Sequence, residues 1–300
     1  YRKHADMPKE GFSPDAEYPV INTEKGLIAL KLRANPAKNG LHVLKIAVGE
    51  RHNVIPGKAS ALIEGDAAFC EEINTLARQM LVAVEARATE EGILLSAKGI
   101  AGHASMPDSA KNALGELLLM LRAIGVQGGL KILADVIGPE YDGESLGIKC
   151  KDQISGDLTL NLGVLHCDAQ GLYAEIDIRY PLLCDGERII HTIEATLGDT
   201  FTVEILHFKK PHHVSPHSKL VLALLDAYHR QTGRERECIA IGGGTYARCL
   251  GEGVAFGALF PGEPETAHQA DEYIKIDTLL LNAKIFARAI LLLAGEEETE

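Results

Sequence analysis

The chain has 300 residues, of which 46% are hydrophobic and 24% are charged, as in ordinary globular proteins with packed cores. Its formal net charge of −12 argues against nucleic acid as a partner, because phosphate binding needs clustered Lys and Arg. The apolar runs fall far short of the roughly 20 residues that a membrane-spanning helix requires. No membrane partner is therefore expected.

Six cysteines are scattered through the chain without a CxxC pair, at positions Cys70, Cys150, Cys167, Cys184, Cys238 and Cys249. Several fall inside apolar strand or helix patterns, so we predict reduced thiols in the core of a cytoplasmic protein rather than zinc ligands or disulfides. The chain opens with Tyr1-Arg-Lys-His, from which no signal peptide can be made. We expect its natural beginning to be missing.

The segment Gly11–Val20 presents one carboxylate, Asp15, directly after Pro14 and ahead of a short apolar pair. Pro14 and Pro19 stiffen the backbone and would fix the direction of the Asp15 side chain. Asp15 is therefore a candidate functional residue. The alternative is an ordinary residue that caps a turn.

Between residues 26 and 208, apolar residues recur with the periods of short strands and amphipathic helices. The predicted strands are Leu27–Leu32, Leu41–Val48, Ala59–Glu64, Ile93–Lys98, Leu158–Leu165, Leu172–Tyr180 and Phe201–Phe208. The predicted helices are Ala67–Val84, Asp108–Ile124 with Asp108 or Ser109 as its N-cap, and Glu187–Leu197. Strands joined by short turns such as Asp168-Ala-Gln-Gly pair antiparallel, so this region is predicted to be an α+β sandwich with helices on one face.

The segment Lys209–His217 interrupts this periodicity and is predicted to be a linker. Its three histidines could bind a metal, but an irregular segment with two prolines does not fix their geometry. Alternating elements follow, namely helix Ser218–Gln231, strand Cys238–Ile241, a short helix from Tyr246, strand Val254–Phe260 and helix Ile276–Leu293. This alternation predicts a parallel or mixed α/β sheet.

The loop Phe260–Tyr273 follows an apolar strand and contains one imidazole, His268, among nearby carboxylates. A buried strand that ends in a Pro/Gly loop and restarts as a helix is the layout in which α/β sheets present functional groups. His268 is therefore a candidate metal ligand. A single loop histidine is more often a surface or structural residue, so this interpretation needs support from other segments.

Three further stretches present functional groups. Small residues surround His103 in Gly102-His-Ala-Ser-Met-Pro, which would bring the backbone close to a ligand. A serine nucleophile at Ser105 is disfavoured because no glycine follows two residues later. Arg179 ends a predicted strand and could hold a carboxylate through two hydrogen bonds, or simply pair with Asp177. The loop Gly242-Gly-Gly-Thr245 offers backbone N–H donors but matches no phosphate-binding motif.

Five blocks together resemble the carnosinase and aminoacylase group of dinuclear zinc peptidases, and most closely the PepV-type bacterial dipeptidases (Xaa-His dipeptidases). The blocks occur in the right order over nearly all of the chain: Ser13-Pro-Asp-Ala-Glu-Tyr-Pro, Gly102-His-Ala-Ser-Met-Pro with Asn112-Ala113, Asp177-Ile-Arg-Tyr-Pro, Gly242-Gly-Gly-Thr and Glu265-Thr-Ala-His-Gln-Ala-Asp-Glu. The resemblance implies an α/β catalytic domain with a mixed sheet, residues 1–25 and 209–300. It also implies an inserted α+β lid domain, residues 26–208.

The resemblance also implies roles for individual residues in the hydrolysis of dipeptides or short peptides. Asp15 and His268 would each bind one of two zinc ions, which cobalt or manganese could replace. His103 would stabilise the oxyanion, and Arg179 would bind the terminal carboxylate of the substrate. Further substrate contacts would come from Asn53 and from the backbone of Gly243 and Gly244.

This sequence departs from the family pattern at its start. The family's upstream His-x-Asp, bridging Asp and paired Glu precede the Ser-Pro-Asp block, whereas only residues 1–12 precede it here, and His4 and Asp6 lie too close to Asp15 to replace them. We therefore expect an N-terminal segment of the same protein to be missing, and this chain alone to bind zinc poorly and to be inactive. The alternatives are a non-catalytic peptide-binding or assembly module and an N-acyl amino acid amidohydrolase. Whether the protein forms a homodimer is left open.

Overall fold

The protein is represented by a computed structural model that describes residues 6, 8–264, 266 and 271–295. It divides into two compact units. The inserted unit is Gly26–Lys210, and the flanking unit comprises the described residues before Gly26 and after Lys210. None of the helices in these described ranges has the length and hydrophobicity needed to cross a membrane.

The strands of the described ranges are numbered in chain order. They are β1 (Glu10–Ser13), β2 (Ala16–Glu17), β3 (Val20–Glu24), β4 (Gly26–Ala34), β5 (Val43–Val48), β6 (Val54–Ile55), β7 (Lys58–Ile63), β8 (Val84–Thr89), β9 (Gly92–Lys98), β10 (Gly102–His103), β11 (Lys151–Asp152), β12 (Gly156–Asp157), β13 (Thr159–Asp168), β14 (Gly171–Tyr180), β15 (Phe201–Lys209), β16 (His212–His213), β17 (Cys238–Ile241), β18 (Glu252–Ala255) and β19 (Ala258–Leu259).

The helices follow the same order. They are α1 (Ala67–Met80), α2 (Ala113–Ala123), α3 (Gly128–Val136), α4 (Gly186–Leu197), α5 (Lys219–Thr232) and α6 (Ile276–Ala294). Short 3₁₀ turns occupy Pro107–Ser109, Gly198–Thr200 and Tyr246–Cys249.

The inserted unit is built on an eight-stranded sheet in the order β15-β4-β14-β13-β5-β7-β9-β8, in which every neighbouring pair is antiparallel. Alternate residues are buried in strands such as β7, as expected for a sheet with one face on the core, whereas β13 and β14 contain runs of consecutive buried residues. Apolar residues of α1, α2, α3 and α4 join that core. The sequence prediction of an α+β insert is confirmed.

The flanking unit contains a mixed sheet in the order β1-β18-β3-β16, with β17 also paired to β3. Strand β1 is parallel to β18, β18 is antiparallel to β3, and β17 is parallel to β3. An aromatic cluster packs its core, in which Tyr18 stacks on Tyr228 with ring centroids 5.0 Å apart. The predicted mixed α/β arrangement of this part of the chain is therefore also confirmed.

Several predicted element boundaries are wrong. The helix predicted to reach Val84 ends at Met80, because Leu81 turns left-handed and strand β8 begins three residues later. The helix predicted from Asp108 begins at Ala113 with Asn112 as its N-cap, while Pro107–Ser109 forms a separate 3₁₀ turn. The strand predicted over 254–260 is divided into β18 and β19.

The predicted linker at 209–217 is also partly ordered into the flanking sheet. His212 and His213 form β16 on β3. His212 Nε2 donates to the Gly253 carbonyl oxygen at 2.7 Å, and His213 Nδ1 lies 2.8 Å from Thr23 Oγ1. Both imidazoles therefore have hydrogen-bond partners within the flanking unit.

The prediction that all six cysteines are reduced thiols is wrong for two of them. Cys150 and Cys184 form a disulfide, with Cα atoms 6.7 Å apart, within the range that a disulfide can bridge. The residues are 34 positions apart in sequence, so only the fold brings them together. Cys70, Cys167, Cys238 and Cys249 are thiols that form no disulfide, and of these Cys249 is exposed.

Candidate active site

Asp177 lies at the centre of a buried polar cluster in the inserted unit. Its fully buried carboxylate accepts hydrogen bonds from His52 Nδ1 at 2.9 Å, from Arg179 Nε at 2.5 Å and from Arg179 Nη2 at 3.0 Å. Burial by itself would raise the pKa of Asp177, but the hydrogen bonds from His52 and Arg179 hold this pKa below its usual value. The cluster therefore keeps an ionised carboxylate inside the unit.

Arg179 occupies the same face of β14 as Asp177, as the period-two alternation predicts. Only 6% of its side chain is exposed, and it pairs with Asp177 through two donors. The ion pair considered as an alternative from the sequence is thus present. It does not exclude a ligand role, because a guanidinium has five N–H donors and can bridge two carboxylates.

Two buried asparagines fix the loop that carries His52 and Asn53. Asn161 Nδ2 donates to the carbonyl oxygens of His52 at 2.9 Å and Val54 at 3.0 Å. The Asn161 Oδ1 atom accepts from Asn112 Nδ2 at 3.0 Å, and Asn112 Oδ1 caps α2 by accepting from the Leu114 amide at 2.9 Å. A satisfied buried network of this kind is rigid, so the loop has a defined position on β13.

A bulge at Gly163 allows this loop to approach β13. The register between β13 and β14 shifts between Leu162 and Val164. A Cβ atom at Gly163 would lie only 2.4 Å from the carbonyl oxygen of His52 and 2.7 Å from that of Arg51. Glycine is therefore required by the close backbone approach that positions His52.

His103 joins the same network through the backbone. It pairs with Val54 in the β6–β10 bridge, and the Ala104 amide donates to the Asn53 carbonyl oxygen at 3.0 Å. His103 Nδ1 accepts from the Ser105 amide at 3.2 Å and lies 2.7 Å from Ser105 Oγ. Because Nδ1 is an acceptor, the neutral imidazole carries its proton on Nε2. Hydrogen bonds thus hold the backbone of Asn53 against the segment of His103, while the neighbouring His52 contacts the carboxylate that pairs with Arg179.

In the flanking unit, Asp15 is an exposed residue in the short connection between β1 and β2. Strand β1 is parallel to β18, with Ser13 opposite Ala255, and β2 is parallel to β19, with Ala16 opposite Ala258. Asp15 therefore follows the carboxyl end of a parallel strand, a common place for functional groups in α/β sheets.

The Gly242–Thr245 loop is anchored in the same unit by a buried glutamate. Glu24 is 1% exposed and accepts from the Thr245 amide at 3.1 Å and the Thr245 hydroxyl at 2.6 Å. Arg248 pairs with the Glu24 carboxylate and donates from Nη2 to the Lys25 carbonyl oxygen at 2.6 Å. The Glu24–Arg248 pair thus fixes both the glycine loop and the last residues before the inserted unit.

The strand directions do not bring Asp15 and the glycine loop to one edge of the flanking sheet. Asp15 follows the end of β1, which runs parallel to β18 and therefore opposite to β3. The loop follows β17, which runs parallel to β3 and ends opposite Glu24. Gly243 and Gly244 are thus at the other end of this sheet from Asp15.

The described residues do not by themselves supply a metal site. Within residues 8–264 and 271–295, no group of three or more His, Cys, Asp and Glu side chains is arranged to hold a metal ion. Asp15 offers one carboxylate, and the second predicted ligand, His268, lies outside the described residues. One donor does not fit a bound zinc ion, which takes three or four protein ligands.

The chain matches Peptidase family M20/M25/M40 over residues 9–292 and belongs to that family. The resemblance drawn from the five sequence blocks is confirmed at this level.

Two curated proteins and one solved structure illustrate the relationship. YtjP of Bacillus subtilis, provisionally named a dipeptidase, is 40% identical over 307 residues, which are 98% of this chain and 65% of YtjP. The Beta-Ala-Xaa dipeptidase of Lactobacillus delbrueckii subsp. lactis is 33% identical over 309 residues, 99% of this chain and 65% of that protein. The crystal structure of aminoacylhistidine dipeptidase from Vibrio alginolyticus matches with a TM-score of 0.48 and 15% identity, covering 96% of this chain and 66% of that one.

The chain therefore spans 65% of the length of each of these two curated relatives. Its alignment over 98 to 99% of its own length places it in the family and gives no support to the expectation that it is inactive.

Proposed function

We propose that the protein hydrolyses dipeptides in a metal-dependent reaction. The proposal is supported by one observation above all: in a chain of the M20 peptidase family, the loop of His52 and Asn53 is held by hydrogen bonds from Asn161 and from the segment that carries His103, and His52 bonds the carboxylate that pairs with Arg179. The residues 1–25 and 209–300 would form the catalytic part and residues 26–208 the lid.

Arg179 is proposed to bind the terminal carboxylate of the substrate. Its guanidinium is held in place by Asp177 and is almost completely buried, so an ion pair formed there is poorly screened by solvent. A fork of N–H donors fits a carboxylate in a two-point contact. This contact would select short peptides with a free carboxyl end.

His103 is proposed to donate a hydrogen bond from Nε2 to the oxygen that becomes negative during attack on the peptide carbonyl. The hydrogen bond from the Ser105 amide to Nδ1 sets the tautomer that this role requires. Asn53 is proposed to contact the substrate as well. The contact proposed for the backbone of Gly243 and Gly244 has no support from the strand directions, which put these residues at the other end of the flanking sheet from Asp15.

The metal is proposed to be zinc, with two ions in the complete site and cobalt or manganese as replacements. Asp15 and His268 would each contribute one donor, and the remaining donors are not assigned. When bound, such ions supply an activated water and polarise the scissile carbonyl.

The test is a substrate panel with purified protein and added Zn²⁺. Dipeptides should be cleaved at least about 100-fold more efficiently than the same dipeptides with an amidated C-terminus, because the amide cannot form the charged contact with Arg179. Metal chelation should abolish cleavage. The variant R179Q should lose most of the preference for the free carboxylate, whereas R33A, which changes an exposed arginine on β4, should retain it.

The same panel separates the alternatives. Preferential cleavage of N-acyl amino acids would assign the protein as an amidohydrolase of that class. Dipeptide binding without cleavage, unaffected by chelation, would instead indicate a non-catalytic peptide-binding module. Equal cleavage of the dipeptide and its amide would reject the proposed role of Arg179.

A further inference from the structure

We propose that His52 is a positioning residue that orients Arg179 through the carboxylate of Asp177, and thereby sets the affinity for the carboxylate end of the substrate. The inference rests on the proposed function. It adds a residue that the sequence motifs did not single out and that does not contact the reacting atoms.

The shared oxygen of Asp177 is the basis of this coupling. Oδ2 accepts from both His52 Nδ1 at 2.9 Å and Arg179 Nη2 at 3.0 Å, while Oδ1 accepts from Arg179 Nε at 2.5 Å. The His52 hydrogen bond therefore fixes the rotation of the carboxylate plane. The guanidinium must lie in that plane to keep both of its hydrogen bonds, so its orientation follows from that of the His52 ring.

The His52 ring is itself held from two sides. An ionised carboxylate only accepts hydrogen bonds, so Nδ1 carries the proton in the contact with Asp177. The backbone of His52 is fixed by Asn161 and by the close approach of Gly163. With 20% of its side chain exposed, the ring is part of the wall of the cluster rather than a mobile surface group.

Loss of the His52 donor would change what Arg179 offers to a ligand. Asp177 would then depend on Arg179 alone to satisfy its buried charge, and the guanidinium would be drawn further toward it. The positive charge available to a second carboxylate would fall. The effect should appear in ligand affinity rather than in the chemical step.

The experiment compares the variants H52A and H52N with the unmodified protein on one dipeptide and on its C-terminal amide. H52A should raise KM for the dipeptide about tenfold, the effect of losing one hydrogen bond to a charged group, while kcat stays within about twofold of the unmodified value. KM for the amide should not change. H52N should restore most of the dipeptide affinity, because the Asn amide can donate from nearly the same place as Nδ1.

A second pair of measurements separates positioning from a general loss of structure. In an R179K background, H52A should have a much smaller effect on dipeptide KM, because the residue through which it acts has changed. H42A is the matched control, since His42 is an exposed histidine of the same unit that contacts Glu64, and it should leave both substrates unaffected.

The two proposals fail in different ways. If the unmodified protein cleaves no dipeptide, the proposed function is wrong. If it cleaves the dipeptide and its amide equally well, the proposed role of Arg179 is wrong and the role of His52 is rejected with it. If the unmodified protein makes this distinction but H52A impairs both substrates equally, or neither, then only the inference about His52 is rejected.

Discussion

Asp177 is a fully buried carboxylate whose charge is balanced by groups from two different parts of the inserted unit. His52 lies in the loop after β5, whereas Arg179 lies on β14, the strand of Asp177, two residues further along the chain. Since both donors stabilise the ionised form in the folded protein, the lowered pKa of Asp177 means that its charge adds to the free energy of unfolding. The residue thus connects substrate binding, as proposed, with the folding of the unit.

Acid should destabilise the protein partly through Asp177. A carboxyl whose pKa is lower in the folded state binds a proton more readily when the protein is unfolded. Its contribution to the free energy of unfolding is therefore complete above the ordinary Asp pKa of about 4, and it is lost as the pH falls through the lower pKa of the folded state. The free energy of unfolding, measured by urea denaturation between pH 7 and pH 3, should fall more steeply in the unmodified protein than in D177N. The variant should be less stable at pH 7 by about 3 to 5 kcal/mol, because removing the charge of Asp177 breaks a buried ion pair. Parallel pH curves for the two proteins would contradict this account.

Helix α2 depends on a cap that differs from the one the sequence suggested. Asn112 satisfies the Leu114 amide and also donates to Asn161 and to the Leu162 carbonyl oxygen at 2.9 Å. N112A should therefore lose both a cap and buried hydrogen bonds, about 2 to 4 kcal/mol in total. S109A changes the N-cap predicted from the sequence and should alter stability by less than about 0.5 kcal/mol. Thermal and urea unfolding of the two variants would show which residue caps the helix.

The bulge at Gly163 offers a direct test of how the His52 loop is positioned. In G163A the new Cβ would meet the backbone oxygens of Arg51 and His52, which cannot move aside as a side chain can, and overpacking of this kind costs about 1 to 3 kcal/mol. G243A is a suitable control, since a Cβ there has no neighbour closer than 3.6 Å. We expect lower stability and weaker dipeptide binding for G163A. G243A should keep normal stability, so any loss of activity in that variant would report a ligand contact.

Element positions were predictable where a pattern is local. Alternation along β14 was enough to place Asp177 and Arg179 on one face, and the turn between β13 and β14 was visible in Asp168-Ala-Gln-Gly. The N-cap of α2 was missed because Asp108 and Ser109 are capping residues as good as Asn112. Only the hydrogen bond between Asn112 and Asn161 shows that Asn112 is the cap. Local preference gives the kind of element, and tertiary hydrogen bonds give its end.

The candidate site was predictable only in part, for a related reason. Arg179, His103 and Asn53 could be predicted as site residues because they belong to recognisable blocks of sequence. His52 and Glu24 were not, although each lies beside or near such a block, because their partners Asp177 and Thr245 are more than a hundred residues away. The only signal in the sequence was an ionisable residue next to a predicted functional one.

At the scale of the whole molecule, the Cys150–Cys184 disulfide joins the segment around β11 to the loop before α4. The same loop is held by Asp152, whose Oδ2 accepts from the Leu183 amide at 2.9 Å. Closing a loop with a sequence separation of 34 residues should stabilise the fold by about 3 to 4 kcal/mol in the chain-entropy account. The two cysteines could not be paired from the sequence, because nothing in their spacing distinguishes them from the other four.

Reduction should therefore lower the free energy of unfolding. The free energy of unfolding, measured by urea denaturation with and without dithiothreitol, should differ by up to about 3 to 4 kcal/mol for the unmodified protein. The difference should disappear in the double variant C150S/C184S. C249S, which removes an exposed thiol outside the bridge, should keep the full response to reduction. An unmodified protein that is indifferent to dithiothreitol would show that the bridge does not stabilise the fold.

The inserted unit begins and ends on neighbouring strands, since Leu27 of β4 pairs with Lys209 of β15. Paired residues on antiparallel strands lie only about 5 Å apart. A domain whose two ends are this close can be inserted between two consecutive residues of another domain without moving that domain's strands apart. The same closeness makes residues 26–210 a portable module. Cut out and expressed alone, it would carry Asn53, His103 and Arg179 with it, and it could be grafted as one piece between relatives to exchange the part proposed to bind the substrate's carboxyl end.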